Sequence, residues 1–281
     1  MRSFSYLAGL LLLSIICSTV YASHNRAGEI TYAWLYGSTY QITVITYTKD
    51  DSNVNRCDLE VFWGDGGSDV LSRSNGNLST LCNVNVGEGV MVGTNIRRNE
   101  YVGVHTYPGP GLYRITMLDP NRNAEVTNMH DSFNTPFFIF LTFMIGTDTT
   151  GLDANGGPMI LNPPIDEACS GKLFIHNAGA YDIEGDSISY VMNDCYEGQE
   201  SNSPFNLITA LGYATPLDVS IDPVTGDLIW DTPPPISGVN DPAQGGRGFD
   251  EYNICFEILE WRNGVIVSRV QRDMQITVWA C

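Results

Sequence analysis

The stretch from Val61 to Met117 narrows what this chain can fold into more than any other. It opens on Val61-Phe62-Trp63-Gly64-Asp65-Gly66-Gly67 and closes on His105-Thr106-Tyr107-Pro108-Gly109-Pro110-Gly111-Leu112-Tyr113-Arg114-Ile115-Thr116-Met117. The first half reads as a strand running into a glycine turn, since glycine tolerates positive φ and Asp65 can bond the turn's own amides. The second half reads as strand, Pro/Gly corner and strand, with Leu112, Arg114 and Thr116 alternating against Tyr113, Ile115 and Met117. The pattern repeats along the chain. Ala27–Tyr36 and Thr39–Thr48 are aromatic and β-branched runs separated by Gly37-Ser38, a hairpin signal. Tyr252–Trp261 and Val265–Val278 flank Asn263-Gly264, a strong short hairpin signal. Phe137–Ile145, apolar on both faces and bounded by Pro136 and Gly146, reads as a buried strand too short to cross a bilayer as a helix. Val126–Met129 reads as a further strand. The expected class is all-β.

Trp63-Gly64-Asp65-Gly66 and His105/Tyr107 with Gly111-Leu112-Tyr113 resemble the marks of the PKD domain, an immunoglobulin-like β-sandwich. Further on, the acidic loop Asp182-Ile183-Glu184-Gly185-Asp186-Ser187 is followed by a hairpin, Ile221-Asp222-Pro223-Val224-Thr225-Gly226-Asp227-Leu228-Ile229-Trp230. This pairing resembles cadherin-like and related bacterial immunoglobulin-like domains. The Gly28-Glu29-Ile30-Thr31-Tyr32 opening and the Glu260-Trp261-Arg262-Asn263-Gly264 run resemble exported surface proteins of Bacteroidota, gliding-motility-associated ones included. The resemblance implies two tandem immunoglobulin-like β-sandwiches: a PKD-like one over 23–147 and a cadherin-like one over 165–281. The Pro/Gly/Asn-rich segment 148–164 links them.

Residues 1–22 read as a signal peptide: Arg2, a short apolar run from Leu7 to Val20, and Val20-Tyr21-Ala22 before the cleavage point. Cleavage there removes Cys17 and leaves Cys57, Cys82, Cys169, Cys195, Cys255 and Cys281. An even number in an exported chain reads as disulfides. The expectation pairs Cys57 with Cys82 and makes two bridges among the later four. Closing the Cys57–Cys82 loop would contribute roughly 3 kcal/mol in the chain-entropy model. No transmembrane segment is expected in the mature chain. Net charge is −18, from 14 Lys and Arg against 32 acids, the wrong sign for gripping phosphates, so nucleic acid is excluded as a partner.

Calcium is the cofactor these residues suggest. Asp182, Glu184 and Asp186 alternate along a loop that Gly185 lets bend, which suits a hard cation taking six to eight oxygens. Asp222 is the candidate fourth ligand. For a ligand, Trp34 and Tyr36 on one strand are the pair expected to stack a sugar. Catalysis finds no support: there is no Gly-x-Ser-x-Gly elbow, P-loop, dinucleotide fingerprint or zinc spacing. The expectation is a non-catalytic, secreted or cell-surface structural or adhesion module. Its partners would be a cell-surface or matrix protein or a polysaccharide. The alternatives are a carbohydrate-binding accessory module and, more remotely, a secreted enzyme.

Overall fold

The computed structural model describes residues 25–50, 56–79, 82, 86–147, 155–201, 203–234 and 248–281. The leader with Cys17, the start of the 148–164 segment and most of the 233–249 loop lie outside the described residues. The described chain is built of strands, plus one 3-10 turn at Ser132–Asn134. In order they are β1 Asn25–Tyr36, β2 Thr39–Lys49, β3 Asp58–Phe62, β4 Ser68–Ser72, β5 Val90–Gly93, β6 Ile96–Thr106, β7 Gly111–Asp119 and β8 Phe137–Ile145. After the 148–164 segment begins come β9 Met159–Ile160, β10 Ile165–Cys169, β11 Leu173–Asn177, β12 Ala180–Tyr181, β13 Ser187–Asn193, β14 Tyr196–Glu200 and β15 Ser203–Thr209. The last are β16 Val219–Ile221, β17 Asp227–Asp231, β18 Phe249–Arg262 and β19 Val265–Trp279. The all-β expectation is met, and so are both hairpins. Asn263 and Gly264 take φ of 53° and 77°, the left-handed pair a two-residue hairpin turn requires. Val126–Met129 is not a strand: Val126 makes one isolated bridge to Glu251 and the chain then turns.

β19 organises the sheets. Along one edge it pairs with β18 from Phe249↔Trp279 to Arg262↔Val265. Its other edge is divided among three strands. Ser268–Val270 pair with β8, Arg272 and Asp273 with β1, and Gln275–Trp279 with β10 in parallel. From β8 the sheet continues through β7 and β3 to β4, and from β1 through β2 and β6 to β5. These two wings face each other across one core, where Phe143 of β8 lies 4.8 Å from Tyr32 of β1 and 4.9 Å from Tyr40 of β2. At the far side the wings meet again through an Arg73↔Tyr101 bridge and the Ser74 amide on the Glu100 carbonyl, 2.8 Å. On the C-terminal side, β11, β17 and β16 form a separate three-stranded sheet packed on the hairpin, with Trp230 edge-on to Tyr252 at 5.0 Å. The hairpin therefore belongs to the cores on both sides of the 148–164 segment.

The opening motif explains itself at the sheet crossing. β6 and β7 do not pair with each other; the Pro/Gly corner between them carries the chain from one wing to the other. Trp63, 1% exposed, fits into the space left by Gly103 and stacks on His105 at 4.8 Å and 11°. Gly64 has φ +86°, and a Cβ there would stand 2.5 Å from the Arg114 carbonyl oxygen, so the turn takes no other residue. His105 Nε2 lies 2.7 Å from Asp65 Oδ2. Burial alone would raise the Asp65 carboxyl, but His105 and the Gly67 amide hold it below the usual carboxylate range.

Disulfides join Cys57–Cys82, Cys169–Cys281 and Cys195–Cys255, which meets the expected pairing. Beneath the hairpin lies a buried polar network. Arg122 and Asp273, both 0% exposed, form an ion pair at 2.7 Å, and Asn253 donates to Asp273 at 2.8 Å. Gln275 donates to Asn123 and Asn253, while Arg26 donates to Glu251 at 2.9 Å. Removing one member of a fully buried pair leaves the other charge uncompensated. Arg122→Ala is expected to lower stability by about 3–5 kcal/mol in urea unfolding, and Arg122→Met with Asp273→Leu to recover most of that loss.

Candidate functional site

The acidic loop after β12 closes on itself: the Asp186 amide donates to Asp182 Oδ1 at 2.8 Å, with Gly185 at φ +93° between them. β13 then pairs with β18 so that Ser187 stands opposite Trp261 and Ile188 opposite Glu260. This register brings a third carboxylate to the loop. Asp182, Asp186 and Glu260 each offer an oxygen within 4.8 Å of the others. Arg262 grips Asp186 through Nε at 2.9 Å and Nη2 at 2.7 Å, and its Nη2 also donates to Asn155 Oδ1 at 2.7 Å. Asn155 donates to the Tyr32 hydroxyl at 2.5 Å, which donates to Glu260 Oε2 at 3.2 Å; Ser268 also donates to that oxygen.

Two oxygens of the cluster are left over. Glu260 is 0% exposed and its Oε1 accepts no hydrogen bond of normal geometry; Asp182 Oδ2 is in the same condition. Burial, together with the charge of Asp182, pushes the Glu260 carboxyl up to about 7. Glu184 lies against Gly156, and burial followed by the neighbouring Asp182 raises its carboxyl as well. One guanidinium thus stands among several carboxyl groups. The donor set is hard oxygen with unmet valence, which fits a divalent cation such as calcium and suits no soft metal.

Of the residues singled out from sequence, Asp182, Glu184 and Asp186 come together here, and Asp222 does not. Asp222 caps its own turn, its Oδ1 accepting from the Val224 and Thr225 amides at 2.8 Å each. Those bonds hold its carboxyl below the usual range. Glu260 was missed, although its row carries a signal. Tyr252, Ile254, Phe256 and Ile258 alternate along the core face of β18, and Glu260 continues the same row. A carboxylate in a core row needs a partner.

Beside the cluster, residues 156–163 cross the outer face of β1 and β2 as a strap and leave a cleft of ≈ 640 Å³. Gly157 packs its backbone on the Tyr32 ring at φ +73°, where a Cβ would collide with that ring. β9 and β12 pair, and the Asn162 amide donates to the Ala178 carbonyl at 3.0 Å, which fixes the strap's other end. Trp34 lines the cleft, half-buried, with Nε1 donating to the Gly37 carbonyl at 3.0 Å. Tyr36 is exposed and does not line it; a register shift between Trp34 and Tyr36 interrupts the strand alternation.

The raised carboxyl has a consequence for stability. Between about pH 4.5 and about 7 the folded protein keeps a proton on Glu260 that the unfolded chain has released. Stability of the cation-free protein is therefore expected to fall as pH rises through that window, by on the order of 3 kcal/mol from this group, and to level off above it. Glu260→Gln is expected to remove that slope, as measured by urea unfolding in chelator at a series of pH values.

No protein-family profile matches the chain, and no curated protein matches it. Among solved structures it is similar to the N-terminal Ig1-2 module of Drosophila receptor protein tyrosine phosphatase DLAR, at 11% sequence identity and a TM-score of 0.25. That likeness covers 90% of this chain and 98% of the other.

Proposed function

We propose that this protein is a non-catalytic, exported structural or adhesive module of the cell surface, stiffened by calcium bound at Asp182, Asp186 and Glu260. The observation that carries the cation is the fully buried Glu260 carboxyl, whose Oε1 makes no hydrogen bond and which offers an oxygen within 4.8 Å of oxygens of Asp182 and Asp186. A divalent cation would neutralise the excess negative charge, with water and backbone carbonyls completing the coordination. Arg262 holds Asp186 in the meantime, so the free oxygens of Asp182 and Glu260 make the first contacts. The cation would act on rigidity, because the cluster joins the loop 182–186, the hairpin β18–β19, the strap at Asn155 and, through Tyr32, the core.

The export reading draws on the leader-like first 22 residues and on three disulfides among the described residues. No helix among those residues is long and apolar enough to cross a membrane. We take 23–147 and 165–281 as the two modules, immunoglobulin-like in the manner of Bacteroidota surface proteins, gliding-motility-associated ones among them. The shared hairpin makes them one mechanical body, which suits a spacer or an adhesive head. Partners would be a cell-surface or matrix protein or a polysaccharide.

Calcium in excess over chelator is expected to raise the melting temperature by about 5 °C, the scale for a ligand present well above its Kd. Asp182→Asn and Glu260→Gln are each expected to abolish the rise, while Asp222→Asn retains it. A calcium-independent melting temperature in the parent protein would count against the cation.

A further inference from the structure

The wing of β8, β7, β3 and β4 carries a groove on its outer face, with a cation set into it. Along β7, Tyr113, Ile115 and Met117 belong to the core, so Leu112, Arg114 and Thr116 lie on the outer face. β3 sets Phe62 opposite Thr116 there, and the β14–β15 hairpin leans over both with Pro204 and Phe205. The groove between sheet and hairpin measures ≈ 310 Å³, at the lower end of the range for small-ligand sites, about 300–1,000 Å³. Phe62, Leu112 and Phe205 are each about half exposed, so its walls are apolar and open. The space suits the end of a chain better than a long segment.

Arg114 is built into this groove. Its guanidinium lies between two rings, 4.4 Å from the Phe140 centroid and 4.9 Å from that of Phe205. Nε donates to Thr142 Oγ1 at 2.9 Å, and Nη1 donates to the Pro204 carbonyl at 3.1 Å in a bond at the solvent surface. Rings and hydrogen bonds fix the plane of the group, while Nη2 donates to no acceptor among the described residues. Its charge is unanswered as well. Eight other described arginines each stand within 4.0 Å of a carboxylate oxygen. Arg114 has no such partner among the described residues, in a chain of 32 acids. Burial pulls its guanidinium below the usual value, and the more distant Glu257 restores only part of that. A guanidinium covered on both faces, with an open edge and no counter-charge, matches a planar carboxylate.

The rest of the protein restricts what can bring that carboxylate. A net charge of −18 repels polyanions, whether acidic polysaccharide, nucleic acid or anionic membrane. The end of a peptide carries one carboxylate and is neutral or cationic elsewhere, and its last side chain lies beside that carboxylate, as the apolar walls lie beside Arg114. We propose that the groove binds the C-terminal carboxylate of a partner protein whose last residue is apolar. The carboxylate accepts from the open edge of Arg114, and the last side chain packs between Phe62, Leu112 and Phe205. The site shares no residue with the acidic cluster and does not depend on the cation.

The test uses the full chain in chelator and again in calcium, titrated by calorimetry. The probes are the peptide Gly-Lys-Gly-Gly-Phe as free acid and as C-terminal amide, Gly-Lys-Gly-Gly-Gly as free acid, and an oligogalacturonate as the polyanion. The free acid ending in Phe is expected to bind with Kd below about 1 mM. Its amide and the acid ending in Gly are each expected to bind about tenfold more weakly or worse. Arg114→Gln is expected to weaken the acid by about tenfold or more and to erase its advantage over the amide. Because Arg114 also ties the hairpin to the sheet, Leu112→Glu, at an exposed position, is the second variant. The carboxylate it adds is expected to weaken the acid by about tenfold and the amide by less. Circular dichroism and melting establish that both variants fold. No binding of the acid up to about 10 mM, equal binding of acid and amide, binding undiminished in folded Leu112→Glu, or preference for the oligogalacturonate overturns the inference. A calcium-dependent melting shift without peptide binding overturns the groove and leaves the cation; peptide binding in chelator without that shift does the reverse.

Discussion

A strand has two edges, and in β19 both are used along nearly the whole length. β18 takes one edge throughout, while β8, β1 and β10 divide the other in succession. Everything else hangs on that division. Because β8 and β1 leave the same edge at successive points, they open into two facing wings, and the wedge between them is the core of Tyr32, Tyr40 and Phe143. Because β10 continues along the same edge, the C-terminal sheet begins where the wings end. Backbone hydrogen bonds are obligatory in a dry interior, so a strand placed between four others cannot be withdrawn without exposing donors and acceptors on all of them.

The polar groups beneath the hairpin follow from the same placement. Arg122, Asp273, Asn253 and Gln275 sit where three elements converge, and no one element could satisfy them alone. A buried pair of this sort is a poor source of net stability, yet it penalises any packing in which its members part. It also marks a seam. Strands that come from opposite ends of the chain, β1 and β19, find each other's register there through Gly28↔Asp273 and Glu29↔Arg272. At the same position Gly28 lets β2 and β8 close on β1, since a Cβ on it would stand 2.7 Å from the Ile45 carbonyl oxygen and 3.1 Å from the Phe137 ring.

The acidic cluster and the cleft are neighbours with different unmet needs. At Glu260 the excess is of negative charge: carboxyl groups crowd around one guanidinium, Arg262. At Glu29 charge is balanced by Arg272, and the deficit is one of hydrogen-bond donors. Asn155 and Tyr32 join the two, the first anchoring the strap and the second standing between strap, cluster and core. Rigidity at one site thus bears on the shape of the other through two side chains.

Local pattern was enough for much of this protein. The alternation of Tyr113, Ile115 and Met117, the Asn263-Gly264 turn, the apolar run at Phe137–Ile145 and the Cys57–Cys82 pairing are all readable because period, turn chemistry and short loop closure act over a few residues. The loop 182–186 was readable for the same reason, its spacing and Gly185 being local. Glu260, Arg262, Asn155 and Glu29 were not recognised, although Glu260 stands in the core row of β18. Their roles arise from pairing between β13 and β18 and between β1 and β19, contacts whose sequence separations leave no periodic trace. Asp222 shows the converse: acidic spacing suggested a ligand, and the fold uses the side chain to close its own turn. Val126–Met129 has strand-like composition but bridges β18 at a single residue pair, Val126↔Glu251, before it turns, and composition alone cannot show where pairing stops. Sequence determined the class, the turns and where acids and cysteines were available. Tertiary structure alone decided which strand edge each element took, and with it which buried oxygens were left wanting a partner.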